Sequence, residues 1–120
     1  MSYQWDNKKP TAQMLGRWQP FHDGHYKLFK EIIKKTGQVW IQIGDVEGVD
    51  DKPFYFDTIK KNIEDRLNPE FEGRFKVIVV PNITNICYGR GVGYKIEEIV
   101  LDEETQKISA TKIRAKMREE

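Results

Sequence analysis

Met14-Leu15-Gly16-Arg17-Trp18-Gln19-Pro20-Phe21-His22-Asp23-Gly24-His25 runs from a short apolar stretch into a loop that carries both histidines of the chain. The residues on its C-terminal side decide the fold. Leu28, Phe29, Ile32 and Ile33 recur at helical spacing while Lys27, Lys30, Glu31, Lys34 and Lys35 fall elsewhere around the turn, so a helix is expected from His25 to a stop at Gly37. Lys34 and Lys35 suit the negative end of its dipole. Val39-Trp40-Ile41-Gln42-Ile43 then reads as a strand, β-branched and without strict alternation, as in a strand covered on both faces. With a first strand over about Ala12 to Arg17, this is a βαβ unit, which implies a right-handed crossover and a parallel pair.

Working outward, Ile59, Ile63 and Leu67 predict a second helix from about Asp57 to Asn68-Pro69. Phe75 to Val80 is a third strand, cut off by Pro81. Ile86-Cys87-Tyr88 is a short fourth-strand candidate, and Ile96 to Leu101 fits strand or helix. A last helix opens at Ser109, with Ile113 and Met117 inward and Lys112, Arg114, Lys116 and Arg118 outward. The alternation predicts the α/β class, an open parallel sheet of about five strands with helices on both faces. Residues 1–11 are polar and end in Lys8-Lys9-Pro10, so they read as a flexible leader before a single domain over 12–120.

At 120 residues one domain is the expectation, and the 38% hydrophobic content implies a lean core. The formal charge of +1 gives no global field that would draw the chain to nucleic acid or an anionic membrane, so any anion site must be local. The longest apolar run, Val77 to Val80, is far short of a membrane span, and the first residues lack a signal pattern. A cytoplasmic protein without nucleic-acid or membrane partners is expected. The single cysteine, Cys87, allows no intramolecular disulfide, which agrees with a reducing compartment.

In open α/β sheets ligands bind at the carboxyl ends of the strands, where the chain order reverses. That points to the loop after the first strand. A helix N-terminus there offers free N–H groups and positive dipole to a phosphate. Two imidazoles one turn apart can donate to the same phosphate oxygens, Gly24 lacks the Cβ that would hold a ligand away, and Arg17 adds a fork suited to an oxyanion. The plainer alternative is that one histidine caps the helix and the other is an exposed loop residue. Zinc is a poor fit, because Cys87 is the lone further soft ligand and no third histidine exists, so no metal ligands are assigned.

The segment Gly16 to His25 resembles the signature of the HxGH nucleotidylyltransferase superfamily. Ile108-Ser109-Ala110-Thr111-Lys112-Ile113-Arg114 is similar to its second signature, ISxTxxR, which opens a helix facing the first loop across a triphosphate. The resemblance spans about Ala12 to Met117 and implies a Rossmann-like fold. It implies transfer of AMP or CMP from ATP or CTP to a small phosphorylated acceptor, with Mg2+ on the phosphates and pyrophosphate as product. Carried over by position, His22, His25, Arg17 and Lys52 would be catalytic, while Gly16, Trp18, Gly24, Ser109, Thr111, Lys112 and Arg114 would bind the nucleotide. Asn82, Asn85, Gly89 and Arg90 would face the acceptor. Each has a plainer role as well: Ser109 as an N-cap, Lys52 as a solvated lysine, and Gly89, Gly91 and Gly93 as a turn.

The Gly-Arg-Trp-Gln-Pro-Phe-His form resembles the archaeal-type nicotinamide mononucleotide adenylyltransferases. Only 18 residues separate Arg90 from Ser109, which is closer to small glycerol-phosphate-type cytidylyltransferases. The base and the acceptor therefore stay open at this point. A catalytically silent nucleotide-binding module of the same fold is the alternative from another class. Relatives of this length imply a homodimer as the assembly.

Overall fold

A computed structural model describes residues 3–46, 54–108, 112, 113, 115 and 116. The elements are β1 (Ala12–Gly16), α1 (Asp23–Thr36), β2 (Val39–Gly44), α2 (Phe56–Leu67), β3 (Phe75–Val80) and α3 (Glu103–Gln106). The strands form a parallel sheet in the order β1-β2-β3. The α/β class and the parallel βαβ unit are as expected. α1 begins at Asp23 with His22 as its N-cap, and it stops at Gly37, whose φ of 86° only glycine adopts freely and whose N–H closes on the Ile33 carbonyl.

The register sets two faces. Ala12, Val39 and Phe75 lie in one row, Met14, Ile41 and Val77 in the next, and these face the core. Met14, Val39, Ile41 and Ile43 form one buried cluster with Phe29, Ile32 and Ile33 of α1 and Ile59, Ile63 and Leu67 of α2. Both long helices therefore cover the same face. This is the geometric consequence of two successive right-handed crossovers advancing in the same direction across the sheet. On the opposite face Gln13, Trp40 and Lys76 make one row, and Leu15, Gln42 and Ile78 the next.

Among the described residues the sheet has three strands, not about five, and the long helices lie on one face. Neither Ile86–Tyr88 nor Ile96–Leu101 forms a strand or helix. Their apolar side chains find no covering layer: Ile86, Tyr88, Ile96 and Val100 are each more than half exposed, and Ile99 alone packs against the core. A strand needs both a neighbouring ladder and a face to bury, and this stretch has neither. Three glycines within five residues, with Gly93 at φ 89°, interrupt it further.

Residues 3–11, read from composition as a flexible leader, are held in place by Gln38. Its wholly buried side chain accepts from Tyr3 Oη and Asp6 N and donates to the Asp6 carbonyl and Thr11 Oγ1. Composition cannot reveal such an anchor, because the holding residue lies far along the chain. No helix among the described residues is long and apolar enough to cross a membrane.

Candidate functional site

Gly16 ends β1 and Gly44 ends β2, so the loop carrying the histidines springs from the carboxyl edge of the sheet. A Cβ on Gly16 would stand 2.5 Å from Cζ2 of Trp18, whose indole fills that space. Trp18 takes φ 52°, a left-handed conformation rare for a bulky residue. It is held there by burial and by its Nε1–H, which donates to the Gln42 carbonyl at 3.0 Å. Local strain of this kind persists only where surrounding packing over-determines it.

The indole in turn backs His25, with ring centroids 4.7 Å apart at 80°, and Phe21 lies 5.4 Å from the same imidazole. His22 and His25 stack at 3.5 Å between centroids and 18° between planes. Their main chains and rings are reciprocally bonded. His22 Nδ1 accepts from the backbone N–H of Gly24 at 3.0 Å and of His25 at 3.4 Å, and His25 Nδ1 accepts from the His22 N–H at 3.1 Å. This is a capping box built from two histidines.

The arrangement fixes the protonation chemistry. An Nδ1 that accepts a hydrogen bond carries no proton, so each neutral ring bears its proton on Nε2. Burial, followed by the adjacent His22 charge, lowers the His25 pKa to about 3. Burial also lowers that of His22, against an upward pull from Asp23. The pair is thus neutral near pH 7, and each ring keeps one N–H, on Nε2, for an anion at the positive end of α1. Capping occupies the Nδ1 atoms and leaves the Nε2 atoms of the same two rings as donors.

Gly24 has a reason the sequence did not supply. A Cβ there would lie 2.9 Å from Cε1 of His22, so the absence of a side chain makes room for the folded-back ring. The same Cβ position is 3.6 Å from the Thr105 carbonyl of α3. Thr105 is buried, its N–H is capped by Asp102, and its Oγ1 accepts from Lys27 Nζ of α1 at 3.3 Å. α3 thereby packs alongside the start of α1.

Gln19 was not singled out by the sequence motif, yet it is nearly inaccessible and bonds the main chain of Phe54 from both of its amide atoms. That clasp ties the histidine loop to the segment entering α2. Nothing local marks it, since its partner lies 35 residues away.

The remaining expected residues divide. Arg17 follows β1 directly and is exposed. Lys112 lies in a helical segment. Lys52, Ser109, Thr111 and Arg114 lie outside the described residues. Asn82 follows β3 closely at the carboxyl edge of the sheet, Asn85, Gly89 and Arg90 lie further along the same exposed stretch, and among the described residues none of the four bonds to the histidine loop. Trp18 is buried behind His25, so its indole faces are taken by protein. The described residues contain no group of three or more His, Cys, Asp or Glu suited to a metal ion.

The fold and loop define an α/β protein in which two stacked histidines cap a helix start at the carboxyl edge of a parallel sheet. A search of protein families finds no match for the chain. Over 36 residues it is 44% identical to the nicotinamide-nucleotide adenylyltransferases of Methanococcus aeolicus and of one Methanococcus maripaludis strain, and 47% identical to that of Methanolobus tindarius. These matches cover 30% of this chain and about a fifth, 21%, of each relative.

Proposed function

We propose that this chain is a nucleotidylyltransferase that transfers AMP from ATP, or CMP from CTP, to a small phosphorylated acceptor. The observation that carries the proposal is the neutral His22–His25 pair, spending both Nδ1 atoms on the helix start and keeping one Nε2–H each. The local similarity to adenylyltransferases supports the adenylyl form over the cytidylyl form.

In this reading an acceptor phosphate oxygen attacks the α-phosphorus. The new P–O bond forms as the bond to the bridging oxygen breaks, and pyrophosphate leaves with that electron pair. The acceptor is its own nucleophile, so the protein's work is positioning and charge stabilisation. His22 and His25 donate to oxygens whose charge grows in the transition state, at the positive end of α1. Neutral donors suit this role because they do not discharge into the leaving group. Trp18 acts through His25, holding its ring, while Gly16 and Gly24 make room for Trp18 and the His22 ring.

Arg17 and Lys52 would balance charge on the phosphates, and Ser109, Thr111, Lys112 and Arg114 would hold the β- and γ-phosphates from the far side. The docking of α3 beside Gly24 supports that placement. Asn82, Asn85, Gly89 and Arg90 would meet the acceptor. Mg2+ would arrive on the triphosphate, where it supplies charge neutralisation. The reading includes one domain from residue 12 onward, a cytoplasmic setting and a homodimer.

A second reading, a nucleotide-binding module without turnover, draws on one observation: the acceptor residues Asn85 and Arg90 stand exposed and apart from the histidine loop. Pyrophosphate release separates the two. ATP and CTP are each paired with nicotinamide mononucleotide and with glycerol 3-phosphate. Release with one pair, falling by about a hundredfold or more in His25→Ala, is expected from the loss of a preorganised donor. Nucleotide binding without release from any pair would give the second reading, and equal rates in His25→Ala would remove the role of the pair.

A further inference from the structure

A second constellation sits at the opposite, amino-terminal end of the sheet. The Gln38 anchor brings the leader across the helix-free face, so that Trp5 meets Trp40 with ring centroids 6.2 Å apart at 45°. Lys76, the register partner of Trp40 on β3, places its Nζ 5.2 Å from the Trp5 ring centre. Lys9 Nζ lies 4.6 Å from the Tyr3 ring centre and 3.2 Å from the Gln4 carbonyl. Gln4, Trp5, Asp6, Asn7, Lys9 and Lys76 surround an open cavity of about 390 Å³.

Charge is concentrated here. Lys8, Lys9, Arg74 and Lys76 gather around the leader against Asp6, in a molecule whose whole charge is +1. None of these four cations enters an ion pair among the described residues. Two of them, Lys9 and Lys76, border the cavity and rest on half-buried aromatic rings. Such contacts are weak enough to be exchanged for an anion.

We propose that this cavity binds a small aromatic anion, a planar ring bearing a phosphate or carboxylate, of about mononucleotide size. The ring would lie against Trp5, which Trp40 supports, and the anionic group between Lys9 and Lys76. The volume falls within the usual range of about 300–1,000 Å³ for small-molecule sites. The patch is local on a chain whose whole charge is only +1, which favours a single ligand over a nucleic-acid strand needing a continuous basic track. The scaffold is built in advance, because the wholly buried Gln38 fixes the leader through four hydrogen bonds before any ligand arrives.

The test uses indole N–H signals in two-dimensional NMR of the full chain. Trp5 lines this cavity, Trp40 senses it through its contact with Trp5, and Trp18 reports the histidine loop. Adenosine monophosphate is the anionic aromatic probe, benzoate the carboxylate probe, and adenosine and inorganic phosphate supply the ring and the charge alone. Saturable shifts of Trp5 and Trp40 with adenosine monophosphate or benzoate are expected, preserved in His25→Ala. The Lys9→Gln/Lys76→Gln variant, both positions being exposed, should weaken binding about tenfold or more, the equivalent of one good contact. Unmoved Trp5 and Trp40 signals would overturn the proposal, as would equal affinity in the lysine variant or equal binding of adenosine. Tighter binding of oligothymidylate than of the mononucleotide would overturn it too, by assigning the surface to a strand.

Discussion

Gln19 holds Phe54 as a second strand would: its Nε2 donates to the Phe54 carbonyl at 2.9 Å and its Oε1 accepts the Phe54 N–H at 3.0 Å. One side chain thus satisfies both main-chain groups of a residue on another element, and it does so between the histidine loop and the entrance to α2.

Gln19→Ala leaves both of those partly buried main-chain groups without this partner. A loss of about 1–3 kcal/mol in unfolding free energy is expected from two unmade, partly buried hydrogen bonds, read from urea denaturation. Gln19→Glu keeps the acceptor but sets a carboxylate oxygen against the Phe54 carbonyl in a buried place, so at neutral pH it should be no more stable than the alanine variant. A change below about 0.5 kcal/mol for Gln19→Ala would show that the clasp contributes nothing.

The pH dependence follows from the histidine pair. His25 in the folded chain has its pKa lowered to about 3, against about 6.5 in the unfolded chain. The unfolded state therefore binds the proton first, so the stability associated with neutral His25 is complete above pH 6.5 and is lost as the pH falls toward 3. The loss is at most about 5 kcal/mol. In NMR the His25 ring protons should stay at their neutral positions down to pH 5, and His25→Leu should flatten the stability profile between pH 6.5 and 4. A His25 midpoint near 6.5 would contradict the buried, backbone-bonded ring.

Gly24→Ala separates structure from chemistry. The added methyl would meet the His22 ring at 2.9 Å from Cε1, and the ring can yield only by leaving its cap. The lost cap costs about 1 kcal/mol, offset in part by the better helix propensity of alanine, so net stability should move by less than about 1 kcal/mol. The His22 pKa should rise toward its ordinary value, and pyrophosphate release should fall. Unchanged His22 titration and unchanged release would mean that the ring accommodates the methyl in place.

Much of the frame was legible because it is periodic and punctuated. Ile59, Ile63 and Leu67 marked the buried stripe of α2, and Gly37, Asn68-Pro69 and Pro81 marked where α1, α2 and β3 stop. The histidine loop was legible for a different reason, its motif, although the double use of each imidazole was not. What stayed hidden were buried polar residues with distant partners. Gln19, Gln38 and Thr105 look like surface residues in sequence, and only the folded chain brings Phe54, Asp6 and Lys27 to them. Residues 86–101 misled in the opposite sense, because apolar residues at strand-like spacing make a strand only where a ladder and a face await them.

Gly16 and Trp18 form a lock and its key within three residues. The indole occupies the volume that any side chain at position 16 would need, and its left-handed backbone is tolerable only while that volume stays free. The two positions are therefore one unit of inheritance. A larger residue at 16 becomes acceptable only after 18 has shrunk, and a smaller residue at 18 opens a hollow beneath His25. Drift through single substitutions is blocked at both positions, and the neighbourhood of the histidines is constrained by mechanical necessity before any selection on chemistry acts.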